Sequence, residues 1–336
     1  MQASMTGSAV SAARQRGRDL IARLRLQAVR RPGDFLFRGL TYLLVLLVVA
    51  VVVGVAWVLL SGSLPTIRAF GLSFLTNEAF DPVHNTFGVR PAIFGTLLTS
   101  AFALVFAIPI GVGMAVFLLD YCPRRLRAPL AFLVDSLAAI PSVVIGLWGL
   151  LVLAPWLQRT GEPWLQAHLG FLPFFQGTPH GVGLLAAGMI LTVMILPIIT
   201  AIAREVMAVV PVAQREALLA LGATRWEVIR YAVLPFARAG ITGGAILGLG
   251  RALGETIAVT MVVGNQASPP SLRLFDTGYT LSSVIANQFG EATQGLFFSA
   301  VIEAGLLLLL ITLLTNVIAR ILISRLGRAR VGGLTV

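Results

Sequence analysis

Four ionisable side chains fall inside long apolar runs of this sequence: Asp135, Arg251, Glu255 and Glu303. A charge at the depth of a lipid bilayer is costly, so each one requires a chemical reason to be there. Arg251 and Glu255 are four residues apart, a spacing that puts both on one face of a helix and lets them pair. Thr256 and Thr260 repeat the spacing, with hydroxyls on or beside that face able to donate to an anion. A guanidinium presents forked donors that match two oxygens of a tetrahedral oxyanion at once. The chemistry these types suggest is an anion pathway lined by Arg251, with Glu255 holding the arginine and limiting how tightly it binds. The competing reading is an ion pair that neutralises itself, or a link to a neighbouring subunit. Asp135 and Glu303 lie near the ends of their runs and are expected to reach the interface.

What the chain lacks narrows its chemistry further. All 25 basic residues are arginine. Without lysine there is no Walker A loop to reach the β- and γ-phosphates of a nucleotide, and no Schiff base. Cys122 and the histidines His84, His168 and His180 are too few and too scattered for a disulfide or a zinc site. No catalytic constellation, metal or cofactor is therefore expected, and the chain is read as non-catalytic.

The elements that must position these residues are membrane helices. Hydrophobic residues make up 57% of the chain and charged residues 12%, whereas a soluble domain carries about a quarter charged residues. Six apolar runs are long enough to cross a bilayer at about 1.5 Å per residue. They span residues 40–60, 93–119, 130–154, 182–203, 240–262 and 298–322. The expected fold is an all-α polytopic helix bundle. Residues 1–39 form a basic tail, 40–60 a first transmembrane helix and 61–92 an outer loop. Residues 93–322 make the core, with an internal loop at 204–238, and 323–336 a second tail. The tail before residue 40 reads either as a solvated segment or as a basic amphipathic helix on anionic headgroups. Twenty arginines lie on the side of the two termini and four on the opposite side, which places both termini in the cytoplasm. The net charge of +11 thus marks a membrane face, and no nucleic acid is expected.

Prolines Pro109, Pro141 and Pro197 fall within these runs and should kink them. Pro141 and Ser142, close to Gly146 and Gly149, make a candidate gate. Gly240, Gly243, Gly244, Gly248, Gly250 and Gly254 suggest a helix pressed tightly against another. In the 204–238 loop, residues 216–221 favour a helix that Gly222 stops, and a second run, 226–233, should end before Pro235. Leu218, Leu219 and Leu221 on this helix–turn–helix need an apolar surface, either a groove on a cytoplasmic partner or lipid.

The pattern Glu216, Ala217, Leu218, then Gly222, then Leu234 and Pro235 resembles the coupling loop of bacterial ABC importer permeases. Leu218 and Ala232 replace the usual alanine and isoleucine and keep the site apolar. Residues 248–256 (GLGRALGET), 138–149 (AAIPSVVIGLWG) and 281–292 (LSSVIANQFGEA) are similar to the C-type permease subunit of the phosphate ABC importers. The similarity runs from about residue 85 to 323. It implies a type I ABC importer permease fold in a bacterial inner membrane. The implied partners are a second, A-type permease, two ATP-binding subunits and a periplasmic phosphate-binding protein, with inorganic phosphate as substrate and lipid around the bundle. It also implies that Glu216–Gly222 docks in a groove of the ATPase and that Arg251 and Glu255 belong to the translocation pathway. Sulfate and molybdate permeases share the coupling loop, and a proton-coupled carrier could use buried carboxylates; these are the alternative readings.

Overall fold

The computed structural model describes residues 32–266 and 269–328. The basic segment before residue 32 and the tail from 329 lie outside the described residues. Among the described residues, six helices are long and apolar enough to cross a bilayer: Leu36–Phe70, Arg90–Tyr121, Ser142–Leu169, Leu184–Ala208, Arg225–Gly254 and Gly295–Ile321. The chain divides into two units, Met1–Val58 and Leu59–Val336. The described part of the first unit is helical and apolar all round, with Leu43, Val48 and Val53 all exposed, as a lipid-facing helix should be.

Helix α1, Pro32–Phe70, continues ten residues past its expected end at 60, so much of the anticipated outer loop is helical. A one-turn helix, Ser73–Thr76, follows. The rest of this loop is pinned by Asp81, which accepts from the Val83 N–H (2.8 Å) and pairs with His84 Nδ1 (2.6 Å). The adjacent His84 holds the Asp81 carboxyl below its ordinary value.

Helix α2 covers Arg90–Val116 and widens into a π turn, Phe117–Tyr121. Helix α3, Arg124–Leu137, is short and amphipathic. Helix α4 starts at Ser142 and runs to Trp148, continuing through two π turns, Gly149–Leu153 and Leu157–Gly161, into α5, Glu162–Leu169. The third span thus lies about a dozen residues later than the hydropathy suggests, because α3 is a separate helix. Pro141 does not kink a span; it is the N-cap of α4. Pro109 and Pro197 do lie within helices.

Helix α6 is Leu184–Ala208, α7 is Val212–Ala220 and α8 is Arg225–Val228. A π turn, Ile229–Val233, joins α8 to α9, Leu234–Gly254. Pro235 therefore does not end the run from 226; the chain stays helical through it. Helices α10 (Ile257–Val262), α11 (Leu281–Gln288) and α12 (Gly295–Arg328) complete the order. All four π turns among the described residues finish two residues ahead of a proline: Pro123, Pro155, Pro163 and Pro235. A proline lacks an N–H and collides with the carbonyl four residues back, and the wider turn relieves both problems without breaking the helix.

The core is built on α2 and α6, where Ala103, Ala107, Ile195 and Ile199 are fully buried. Small residues let these backbones approach closely, the usual basis of helix association in lipid. A Cβ at Gly111 would stand 3.0 Å from Ile199 Cγ2. Helix α9 packs on α6 as well, through a stripe of glycines. A Cβ at Gly240 would collide with Val206, and one at Gly244 or Gly248 would crowd Ile202 or Ile199. The other glycines of α9 depart from the expectation of tight packing, since Gly243 and Gly254 face open space.

Candidate functional site

The fifth span is broken at the residues that carry its charges. Helix α9 stops at Gly254, and Glu255 is extended, with φ −70° and ψ 125°. Thr256 then caps α10. Arg251 sits exposed in the last turn of α9, and Glu255 is half-buried on the unwound segment. The two therefore do not share a helix face, and no ion pair joins them among the described residues. A shared face at four-residue spacing requires an unbroken backbone ladder, and the ladder ends between them.

A helix end leaves carbonyls without partners in the helix itself. Hydroxyls meet them here. Ser282 Oγ, from α11, donates to the Glu255 carbonyl at 2.7 Å, and Thr256 Oγ1 donates to the Gly254 carbonyl at 3.2 Å. Thr260 Oγ1 also donates to the Thr256 carbonyl at 2.7 Å, a carbonyl that already accepts the Thr260 N–H at 3.0 Å. Each hydroxyl has one proton to give. Thr256 and Thr260 thus spend theirs on the backbone, and neither is set to donate to an anion as the sequence suggested. Ser282 escaped the sequence reading as a site residue. Its signal is the capping box that starts α11, in which Thr280 N donates to Ser283 Oγ (2.9 Å) and Thr280 Oγ1 accepts from Ser283 N (3.2 Å). Leu281 N donates to Thr96 Oγ1 (2.9 Å), fixing α11 against α2.

Helix α4 presses on the short helix beyond the break. A Cβ at Gly146 would lie 2.8 Å from Ala258 Cα and from Met261 Sδ. Pro141 and Ser142 begin the helix that makes this contact.

The segment carrying Glu216, Ala217, Leu218 and Gly222 forms as its residues dictate. Helix α7 closes in a Schellman motif: Ala223 N donates to Leu218 O and Gly222 N to Leu219 O, both at 3.0 Å. Gly222 has φ +84°, the left-handed region that favours glycine. Thr224 and Glu227 then form a capping box that starts α8. Leu218 tucks against the apolar cluster of Ala115, Met207, Val210 and Val228. Leu219 and Leu221 point outward, the latter 84% exposed, while Glu216 and Ala217 are exposed beside them. Leu234 and Pro235 open α9.

The remaining intramembrane carboxylates separate. Asp135 lies on α3 and accepts from Arg204 Nη2 at 3.0 Å. Glu303 does not reach an interface: it is only 5% exposed within the bundle, and its Oε2 has no partner among the described residues. No cluster of metal-binding side chains occurs among the described residues.

Residues 107–328 match the family described as binding-protein-dependent transport system inner membrane component. The chain belongs to that family. It is 45% identical over 303 residues to the phosphate transport system permease protein PstC of Mesorhizobium japonicum, covering 89% of this chain and 92% of the relative. It is 42% identical to the protein of the same description from Haemophilus influenzae, covering 88% of this chain and 95% of the relative. Phosphate transport system permease protein PstC 2 of Mycobacterium tuberculosis is 44% identical over 303 residues, covering 86% and 91%. Among solved structures, a bacterial alginate ABC transporter chain superposes with a TM-score of 0.52 at 16% identity, covering 84% of this chain and 93% of its own. The shared fold is that of ABC importer permeases: all-helical, multi-pass and of the inner membrane.

Proposed function

We propose that this chain is the C-type transmembrane permease subunit of an ATP-driven importer of inorganic phosphate. It forms half of the pathway and itself has no catalytic activity. The observation that carries the reading is the 45% identity to a phosphate transport permease over nearly the full length of both chains. The broken fifth span supports it. Irregular backbone at membrane depth is tolerated where it lines a cavity, and discontinuous helices mark transport sites. Arg251, unpaired among the described residues, offers its forked donors to the oxyanion. Glu255 is placed to accept a hydrogen bond from a protonated phosphate oxygen and to repel a fully ionised sulfate. Thr256, Thr260 and Ser282 hold the break open, and Pro141 and Ser142 gate it through α4.

Both termini lie in the cytoplasm by the arginine distribution. Helix α7 then faces the cytosol, where the exposed Leu219 and Leu221, with Glu216, Ala217 and Gly222, dock into one of two ATPase subunits. An A-type permease completes the pathway, and a periplasmic phosphate-binding protein delivers the ion to the outer loops.

The test is complementation. Cells lacking high-affinity phosphate uptake should accumulate labelled phosphate when given this chain with its partner permease, ATPase and binding protein. Omitting this chain alone should abolish the gain. Accumulation that does not depend on the chain would overturn the proposal.

A further inference from the structure

Helix α7 has no fully buried residue, so apolar packing alone holds it weakly. What ties it to the bundle is Arg215, one position before the Glu216 of the coupling pattern. Its Nη1 meets Asp120 Oδ1 at 2.7 Å, and its Nη2 donates to the Met207 carbonyl at 2.9 Å. Asp120 sits on the π turn that ends α2, and Met207 in the last turn of α6. One forked side chain thus clamps the ends of two helices to a third.

The clamp is shielded, with the Arg215 and Asp120 side chains 24% and 17% exposed. An ion pair partly withdrawn from water interacts more strongly than one on the surface. Asp120 Oδ2 is buried without a partner, so Arg215 is the only cation on this carboxylate among the described residues. The Met207 carbonyl, at the end of α6, accepts a long bond from the Val210 N–H (3.4 Å), and Arg215 adds a charged donor. On the adjacent turn, Arg127 Nη2 donates to the Leu119 carbonyl and stiffens the seat of Asp120. From α6 the contact continues outward: Val206, Ile202 and Ile199 fill the glycine stripe of α9, the helix that carries Arg251.

We infer that Arg215 is a positioning residue that transmits displacement of α7 to α2 and α6, and through α6 to the broken span. The inference rests on α7 being the docking helix of the ATPase. Lysine would not serve equally, because a single ammonium lacks the planar fork that reaches both acceptors.

The experiment uses the whole complex in proteoliposomes, with ATP hydrolysis and phosphate uptake measured on the same sample. Arg215→Gln should still bring down the ATPase on purification and still hydrolyse ATP. Phosphate moved per ATP should fall about five- to tenfold, the lower end of an ordinary coupling energy. If Arg215→Gln fails to accumulate, Arg215→Lys provides the same readout with a smaller fall. The reversed pair, Arg215→Glu with Asp120→Arg, should recover at least half of the coupling that either single reversal loses. A purely structural role would change assembly and leave the ratio of transport to hydrolysis intact, and that result overturns the inference. So does a double reversal no better than the singles. Cross-linking of Leu221→Cys to the ATPase separates the two levels. Cross-linking with unchanged coupling in Arg215→Gln and Arg215→Lys sinks only the Arg215 inference, whereas its absence sinks the docking reading as well.

Discussion

Arg251 keeps its guanidinium open because the helix that carries it stops three residues later, before Glu255 can fold back beside it. A lysine there retains the charge and loses the fork. Since hydrogen bonds to charged groups contribute about 1.5–3 kcal/mol, Arg251→Lys should lower phosphate uptake roughly ten- to a hundredfold while ATPase assembly is unchanged. Initial uptake rates at several phosphate concentrations check this; wild-type rates would remove Arg251 from the path. Glu255→Gln should bring sulfate and phosphate closer as competitors, because the repulsion of a fully ionised anion is gone. An unchanged preference would assign selectivity elsewhere. The residue types at this site were legible in the sequence, but their geometry was not. Periodicity extrapolates an unbroken ladder, and the single Gly254 gave little warning among so many glycines. The hydroxyl of Thr256 looked free for the same reason: the Gly254 carbonyl it satisfies is left open only once the helix has broken. Thr260 instead makes the back-bond to the carbonyl four residues earlier that a helical threonine can make anywhere.

The elements are held by different devices, and each fails differently. Gly222 carries φ +84°, a conformation costing an L-residue with a side chain about 1–2 kcal/mol. Nothing lies within 4 Å of a Cβ there, so Gly222→Val is a backbone test and not a packing one. It should distort the turn between α7 and α8 and separate ATP hydrolysis from uptake in a complex that still assembles. Normal coupled uptake would contradict the docking role. Gly244→Leu is the opposite case, a packing test at ordinary helical geometry. Its side chain would force Ile202 aside, for which overpacking costs roughly 1–3 kcal/mol. The unfolding temperature in detergent should drop, and an unchanged temperature would mean α9 and α6 are not packed along this stripe. The Schellman stop was readable because Leu-Gly-Ala-Thr announces its own caps. The third span was misplaced for a physical reason: α3 is apolar on one face only, yet its residues extend the hydropathy window. The π turns had no signature of their own, although each of their prolines was in plain view.

At the scale of the whole molecule, composition alone specified a helical membrane bundle, since a chain with 57% hydrophobic residues has too little polar surface for water. The arginine asymmetry predicts the orientation, and cysteine labelling tests it. In a chain with Cys122→Ser, a Leu221→Cys thiol should react with a membrane-impermeant maleimide only in inverted vesicles. Val83→Cys, also 84% exposed, should react only from the outside of intact cells. The reverse pattern would invert the bundle and detach α7 from any cytosolic ATPase. What composition could not supply is the partner surface, because the exposed Arg251 and the open Gly243 and Gly254 face whatever lies beyond this chain. The proposed function requires that ATP hydrolysed by a partner drive phosphate through this subunit. The measurement that tests it most directly is uptake of radiolabelled phosphate by proteoliposomes holding the two permeases and the ATPase, with binding protein outside and excess unlabelled sulfate. Uptake that requires ATP and ignores sulfate is the predicted result. Uptake abolished by sulfate, or uptake without ATP, would contradict it.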